Sequence, residues 1–134
     1  MGGEPGVLSK RFAGEDASDS ERNACLLAKL EGVPWERRAA CFKCTIVIAS
    51  PSGSFHLCVG ELRGIITSES KGGYGFGYDP VFYLPDFGRT MAEFPPKKKN
   101  KISHRAKAAD KACQFLHQLE ETDWESLPFS GGMV

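Results

Sequence analysis

The residues with chemistry to offer fall in two short stretches. The first is GGYGFGYDPVFY at 72–83, where four glycines alternate with aromatic rings and end on an Asp-Pro. Glycine loses the most backbone entropy on ordering, so such a run weakens helix and strand alike. What it gains is a backbone bare enough to approach a flat ligand. Phe76 or Tyr78 would stack on a heterocycle, and Asp79, held by Pro80, would accept hydrogen bonds from ring N–H groups. The second stretch crowds Lys97, Lys98, Lys99, Lys101, His104 and Arg105 into the start of a helical pattern. Cations are unfavourable at the positive end of a helix dipole unless an anion or electron-rich ligand sits there. A stacking ring, a fixed acceptor and nearby donors suit a nucleotide base. A 6-oxopurine fits best: it presents an N1–H donor beside an O6 acceptor, where adenine presents the reverse. The plainer readings are a glycine-rich hairpin tip with core aromatics, and a solvated basic turn.

Several elements must position these groups. Ser18-x-x-Glu21 has capping-box form, and Ala24, Leu27 and Leu30 follow at helical spacing. A helix is therefore predicted from Asp19 to Glu31, stopped by Gly32-Val33-Pro34. Residues 40–49, ACFKCTIVIA, alternate so that Phe42, Cys44, Ile46 and Ile48 share a face. SPSG at 50–53 turns the chain into a second extended run at 54–66, along which Phe55, Leu57 and Val59 alternate. Residues 67–98 read as a long loop region carrying Pro80, Pro85, Pro95 and Pro96, with a short strand at Val81–Tyr83. The last element is a helix from Lys101 to Glu121, with Ile102, Ala106, Ala109, Cys113, Leu116 and Leu119 on one face. Residues 1–16 read as irregular, and there is no internal repeat.

The chain has 134 residues, enough for one domain, expected over 1–121 with 122–134 as a loose tail. Basic and acidic residues balance at 17 each, so no whole-protein field points to nucleic acid or membrane. No apolar run reaches membrane-spanning length and MGGEPGVLSK has no signal-peptide core, which makes a cytoplasmic protein the expectation. Five cysteines, spread over predicted helix and strand, argue against a disulfide framework. Cys41 and Cys44 have zinc-knuckle spacing, but positions three apart in a strand point to opposite faces, and no second pair completes a site. Packing is the expected role of the cysteines.

GGYGFGYDPVF at 72–82, followed by KNKISHRAKA at 99–108, resembles the signature pair of the inosine triphosphate pyrophosphatase family, the dITP/XTP pyrophosphatases. GGEPGVLSKRFAG at 2–14, ASDSERNACLLAKL at 17–30 and GRTMAEFPPKKKN at 88–100 resemble the family's flanking and connecting segments, so the likeness covers almost all of 2–119. It implies an α/β fold, a mixed β-sheet with flanking helices. It also implies hydrolysis of ITP, dITP and XTP to the monophosphate and pyrophosphate, with Mg²⁺ and in a homodimer. Carried over residue by residue, Phe76 would stack on the purine, with Gly77, Tyr78 and Asp79 completing that wall. Lys99 would contact substrate, and His104 and Arg105 would bind the 6-oxo base, supported by Ser103.

The same resemblance places the triphosphate loop, a metal-binding Glu and the catalytic base in a portion before GGxPGV, so the chain is expected to be the N-terminally truncated, C-terminal part of the fold. No catalytic residue and no metal ligand is assigned within it; Glu15, Asp16 and Asp19 read as helix-start groups. A charge-neutralising metal and an activated water would have to come from elsewhere. One alternative is a non-catalytic isoform or fragment that binds 6-oxopurine nucleotides or pairs with a full-length subunit. Another is a nucleic-acid-binding module built on PPKKKNK, against which the zero net charge and single short basic patch argue.

Overall fold

A computed structural model describes residues 1–121; the expected tail at 122–134 lies outside them. The elements are helix α1 (Asp19–Lys29), strands β1 (Ala39–Ala49), β2 (Phe55–Ile66), β3 (Phe82–Leu84) and β4 (Arg89–Thr90), and helices α2 (Pro96–Ile102) and α3 (His104–Glu121). The strands form one sheet in the order β1-β2-β3-β4. β2 pairs antiparallel with β3, Ile66 opposite Phe82, and β3 antiparallel with β4, Tyr83 opposite Thr90. The α/β expectation holds. The chain divides into two compact units, Met1–Ala40 with Arg63–Lys99, and Cys41–Leu62 with the chain from Asn100.

In the first unit the capping box forms as read: Glu21 N–H donates to Ser18 Oγ and Ser18 N–H to Glu21 Oε1. The buried face of α1 differs from the expected one. Ala24 is exposed, and Arg22, Asn23, Leu26 and Leu30 are buried. Two polar residues thus occupy an interior stripe because they bind backbone groups of the glycine stretch and of residues 10–17, as described below. Arg38 is also buried and closes the C-terminal end of α1. It donates to Leu30 O and Val33 O from Nη1, to Ile66 O from Nε and to Thr67 O from Nη2. The expected strand at Val81–Tyr83 appears one residue later, as β3. Val81, Phe82, Leu84, Met91, Ala92 and Phe94 build this unit's core.

In the second unit the hairpin turns at Ser50–Ser54, where Ser50 N–H donates to Ser54 O at 2.7 Å and Gly53 N–H to Ser50 O at 3.0 Å. Phe42, Cys44, Ile46 and Ile48 share the half-buried face of β1 as expected. On β2 the buried face is the opposite one: Leu57 is exposed, whereas Cys58, Gly60 and Leu62 are buried. Gly60 explains the reversal. A Cβ there would run into the backbone of His104 and Ala108, so α3 packs directly on the bare strand. That contact also sets the register of α3. Ala108, Ala112 and Phe115 are buried, and Ala109, Cys113 and Leu116 are exposed, one position off the expected face. The single predicted helix from Lys101 is in fact two, because Ser103 restarts the chain: its Oγ accepts the Ala106 N–H at 3.1 Å. Among the cysteines, all free, Cys58 is fully buried but Cys41 and Cys113 are exposed, so packing accounts for only some of them.

Candidate active site

The glycine stretch lies in the first unit and is pinned at both ends by backbone bonds. Lys71 N–H donates to Pro80 O and Tyr74 N–H to Ala92 O, each at 2.9 Å. Between them the chain bends so that the Asp79 carboxylate turns back on its own loop. Its Oδ2 accepts the Phe76 N–H at 3.2 Å and pairs with the Lys99 ammonium. Gly75 is required at this bend: its φ is +79°, and a Cβ would collide with the Asp79 carboxylate and stand 2.7 Å from Lys99 Nζ. Asp79 is 6% exposed. Phe76, by contrast, is 56% exposed, with Lys99 Nζ 4.5 Å from the centre of its ring. The arrangement joins an open aromatic face to a sheltered carboxylate, and the same ammonium touches both. Such a surface can stack a planar ring and accept a hydrogen bond from its edge.

Helix α1 holds this loop from behind. Gly77 N–H donates to Asp19 Oδ2 at 3.0 Å, and Asn23 Nδ2 donates to Gly77 O at 3.1 Å. Arg22 donates to Lys10 O, to Ala17 O and to the Asp19 carboxylate. The bond from Gly77 and then the one from Arg22 hold the Asp19 carboxyl below its ordinary pKa. Tyr78 donates its hydroxyl to Ser9 O at 2.5 Å, and burial pushes its phenol above the usual value.

Of the residues singled out in the sequence, the structure thus gathers Phe76, Gly77, Tyr78, Asp79 and Lys99 in one place. Lys98 is spent otherwise, its Nζ 5.5 Å from the rings of both Phe87 and Phe94. Ser103, His104 and Arg105 belong to the second unit. There Ser103 caps α3, the His104 ring stacks on Phe42 with centroids 4.9 Å apart, and Arg105 is exposed. The basic residues expected at one helix mouth are therefore split between α2 and the start of α3. Asp19, read from its position as a helix-start group, also holds the loop; Arg22 and Asn23 carry roles that the sequence motifs do not single out. Their signal was available: Asn23 lies on the same helical face as Leu26 and Leu30.

Among the described residues no three His, Cys, Asp or Glu side chains come together as a metal-binding group. No described helix is long and apolar enough to cross a membrane.

Comparison with known proteins matches residues 1–115 to the Ham1 family. A dITP/XTP pyrophosphatase of Desulforamulus reducens is 52% identical over 117 residues, 87% of this chain and 58% of that protein. One of Geobacter sulfurreducens is 50% identical over 108 residues, 81% of this chain and 54% of the relative. The solved Ham1 protein of Staphylococcus aureus superposes with a TM-score of 0.82 at 38% identity, over 87% of this chain and 59% of that one. That of Coxiella burnetii gives 0.80 at 40%, over 86% and 59%. The chain therefore spans a little over half the length of the relatives it matches. The resemblance read from the two signatures is borne out, and the chain belongs to the Ham1 family.

Proposed function

We propose that the chain serves hydrolysis of non-canonical purine nucleoside triphosphates, ITP, dITP and XTP, to the monophosphate and pyrophosphate, and that its own part is recognition of the base. The observation that carries this is the pairing of the open Phe76 ring with the buried Asp79 carboxylate. A purine stacked on Phe76 would bring its N1–H toward Asp79. Adenine has no hydrogen at N1 and would leave the carboxylate facing a lone pair, a mismatch that buried polar groups penalise strongly. Lys99, which already spans ring and carboxylate, would contact the substrate, and Gly77 and Tyr78 would complete the wall. For Ser103, His104 and Arg105 the base-binding role rests on the resemblance.

The same reading places the protein in the cytoplasmic nucleotide pool as a homodimer. Sedimentation of the purified chain tests the dimer. Titration with ITP, XTP and ATP, with pyrophosphate detection, tests the function. ITP binding with pyrophosphate release supports it, and binding without product would overturn hydrolysis by this chain. Asp79→Ala and Arg105→Ala should each erode the preference for ITP over ATP. Unchanged selectivity in both would remove those two side chains from the base site.

A further inference from the structure

We infer that Asn23 and Asp19 are positioning residues for base recognition, holding both backbone groups of Gly77 and thereby fixing where Phe76 and Asp79 stand. The inference rests on the base-reading role proposed above. Gly77 lies between the stacking ring and the reading carboxylate in sequence, and its φ of +60° is one that only glycine adopts readily. Its N–H goes to Asp19 and its C=O receives Asn23, so α1 fixes the orientation of the whole peptide. Asp79 in turn bonds back to Phe76 N–H. A shift at Gly77 therefore moves ring and acceptor together.

The choice of residue points the same way. Asn23 is 5% exposed, and its Oδ1 has no hydrogen-bond partner among the described residues. Burying an amide oxygen unpaired is unfavourable, and a leucine of similar size would fill the space without that penalty. What the amide supplies and leucine lacks is the donor to Gly77. Asp19 is half-exposed but not free to wander, because Arg22, itself anchored on Lys10 O and Ala17 O, grips its other oxygen. Arg22 and Asn23 are thus buried polar residues whose bonds run to the loop and its support.

The test uses the 134-residue chain with Asn23→Leu, Asp19→Ala and the conservative Asp19→Asn, which keeps an oxygen for the Gly77 N–H. Three quantities are measured: hydrogen exchange at the Gly77 amide, ITP and ATP affinity by equilibrium dialysis, and the urea midpoint. Asn23→Leu and Asp19→Ala should speed Gly77 exchange and weaken ITP about fivefold to tenfold, the equivalent of one hydrogen bond, with a smaller effect on ATP. Asp19→Asn should recover most of the ITP affinity, and the urea midpoint of Asn23→Leu should hold or rise. If the wild-type chain prefers ITP and the variants keep that preference, the inference is wrong while the base-reading role stands. If the wild-type chain shows no preference for ITP, the base-reading role fails and this inference fails with it.

Discussion

Replacing Asp79 with asparagine keeps the shape of the side chain and removes its charge, leaving the Lys99 ammonium without its counter-ion. The side chains are 8% exposed at Asp79 and 16% at Lys99, so the pair is sheltered and water cannot fully substitute for the lost partner. Breaking a buried pair from one side costs about 3–5 kcal/mol. Two features pull the figure to the low end. Asparagine still offers an oxygen to the Phe76 N–H, and the lysine stem can carry its head toward water. We expect about 3 kcal/mol, or a fall of roughly 10 °C in Tm for a chain of this size. Adding Lys99→Met removes the stranded charge while leaving an apolar group over the Phe76 ring, now a thioether on an aromatic face. The double variant should regain about 2 kcal/mol of the loss, a coupling well beyond that of independent sites. Urea unfolding of wild type, both singles and the double gives all four corners. Additivity to within about 0.5 kcal/mol would show that the two charges do not depend on each other, and the account of the carboxylate would fail with it.

Three further outcomes follow from the same loop. Gly75→Ala places a methyl against the Asp79 carboxylate at a backbone angle alanine disfavours; it should lower stability by about 2 kcal/mol and weaken ITP binding, and calorimetry showing a neutral change would refute the close approach. The Tyr78 phenol is pushed above its ordinary 10.0 by burial, so the stability it lends is complete below pH 10 and drains away as pH rises toward the higher folded value; Tyr78→Phe should remove a late step from the ultraviolet titration, and an unaltered curve would refute the burial. Asp19 is shifted the other way, held below 3.8 chiefly by the Gly77 N–H and then by Arg22. The stability advantage of wild type over Asp19→Asn should therefore be constant above about pH 4 and close as pH falls through the lower folded value; a gap that stays flat to pH 2 would contradict the assignment.

The hairpin, the capping box and the site loop were legible because each is written in local chemistry: alternation, a Ser-x-x-Glu spacing, glycines broken by rings. The α/β fold followed from the resemblance. Faces were less legible than elements. On β2 the sequence offers Phe55, Leu57 and Val59 on one side and Cys58, Gly60 and Leu62 on the other, and hydrophobicity favours the first. The structure buries the second, because a glycine admits the α3 backbone where a side chain would hold it off. The same contact chose between two apolar stripes on α3 that differ by one residue. Short-range periodicity has no term for a contact so distant in sequence.

Helix α1 shows a different failure, and a more useful one. Amphipathic reasoning assigns the buried stripe to its apolar residues, yet Arg22 and Asn23 lie inside and Ala24 lies outside. A helix whose only task was to cover a core would have no use for this exchange, since each buried polar atom must find a partner or lose stability. Here the partners are backbone groups of irregular segments: Gly77 for Asn23, Lys10 and Ala17 for Arg22. Loops rich in glycine cannot hold their own shape by side-chain packing, so order must be lent to them by hydrogen bonds from a rigid neighbour. Polar residues at interior helical spacing are therefore the sequence trace of a supported loop, and the loop they support in this chain is the one carrying Phe76 and Asp79.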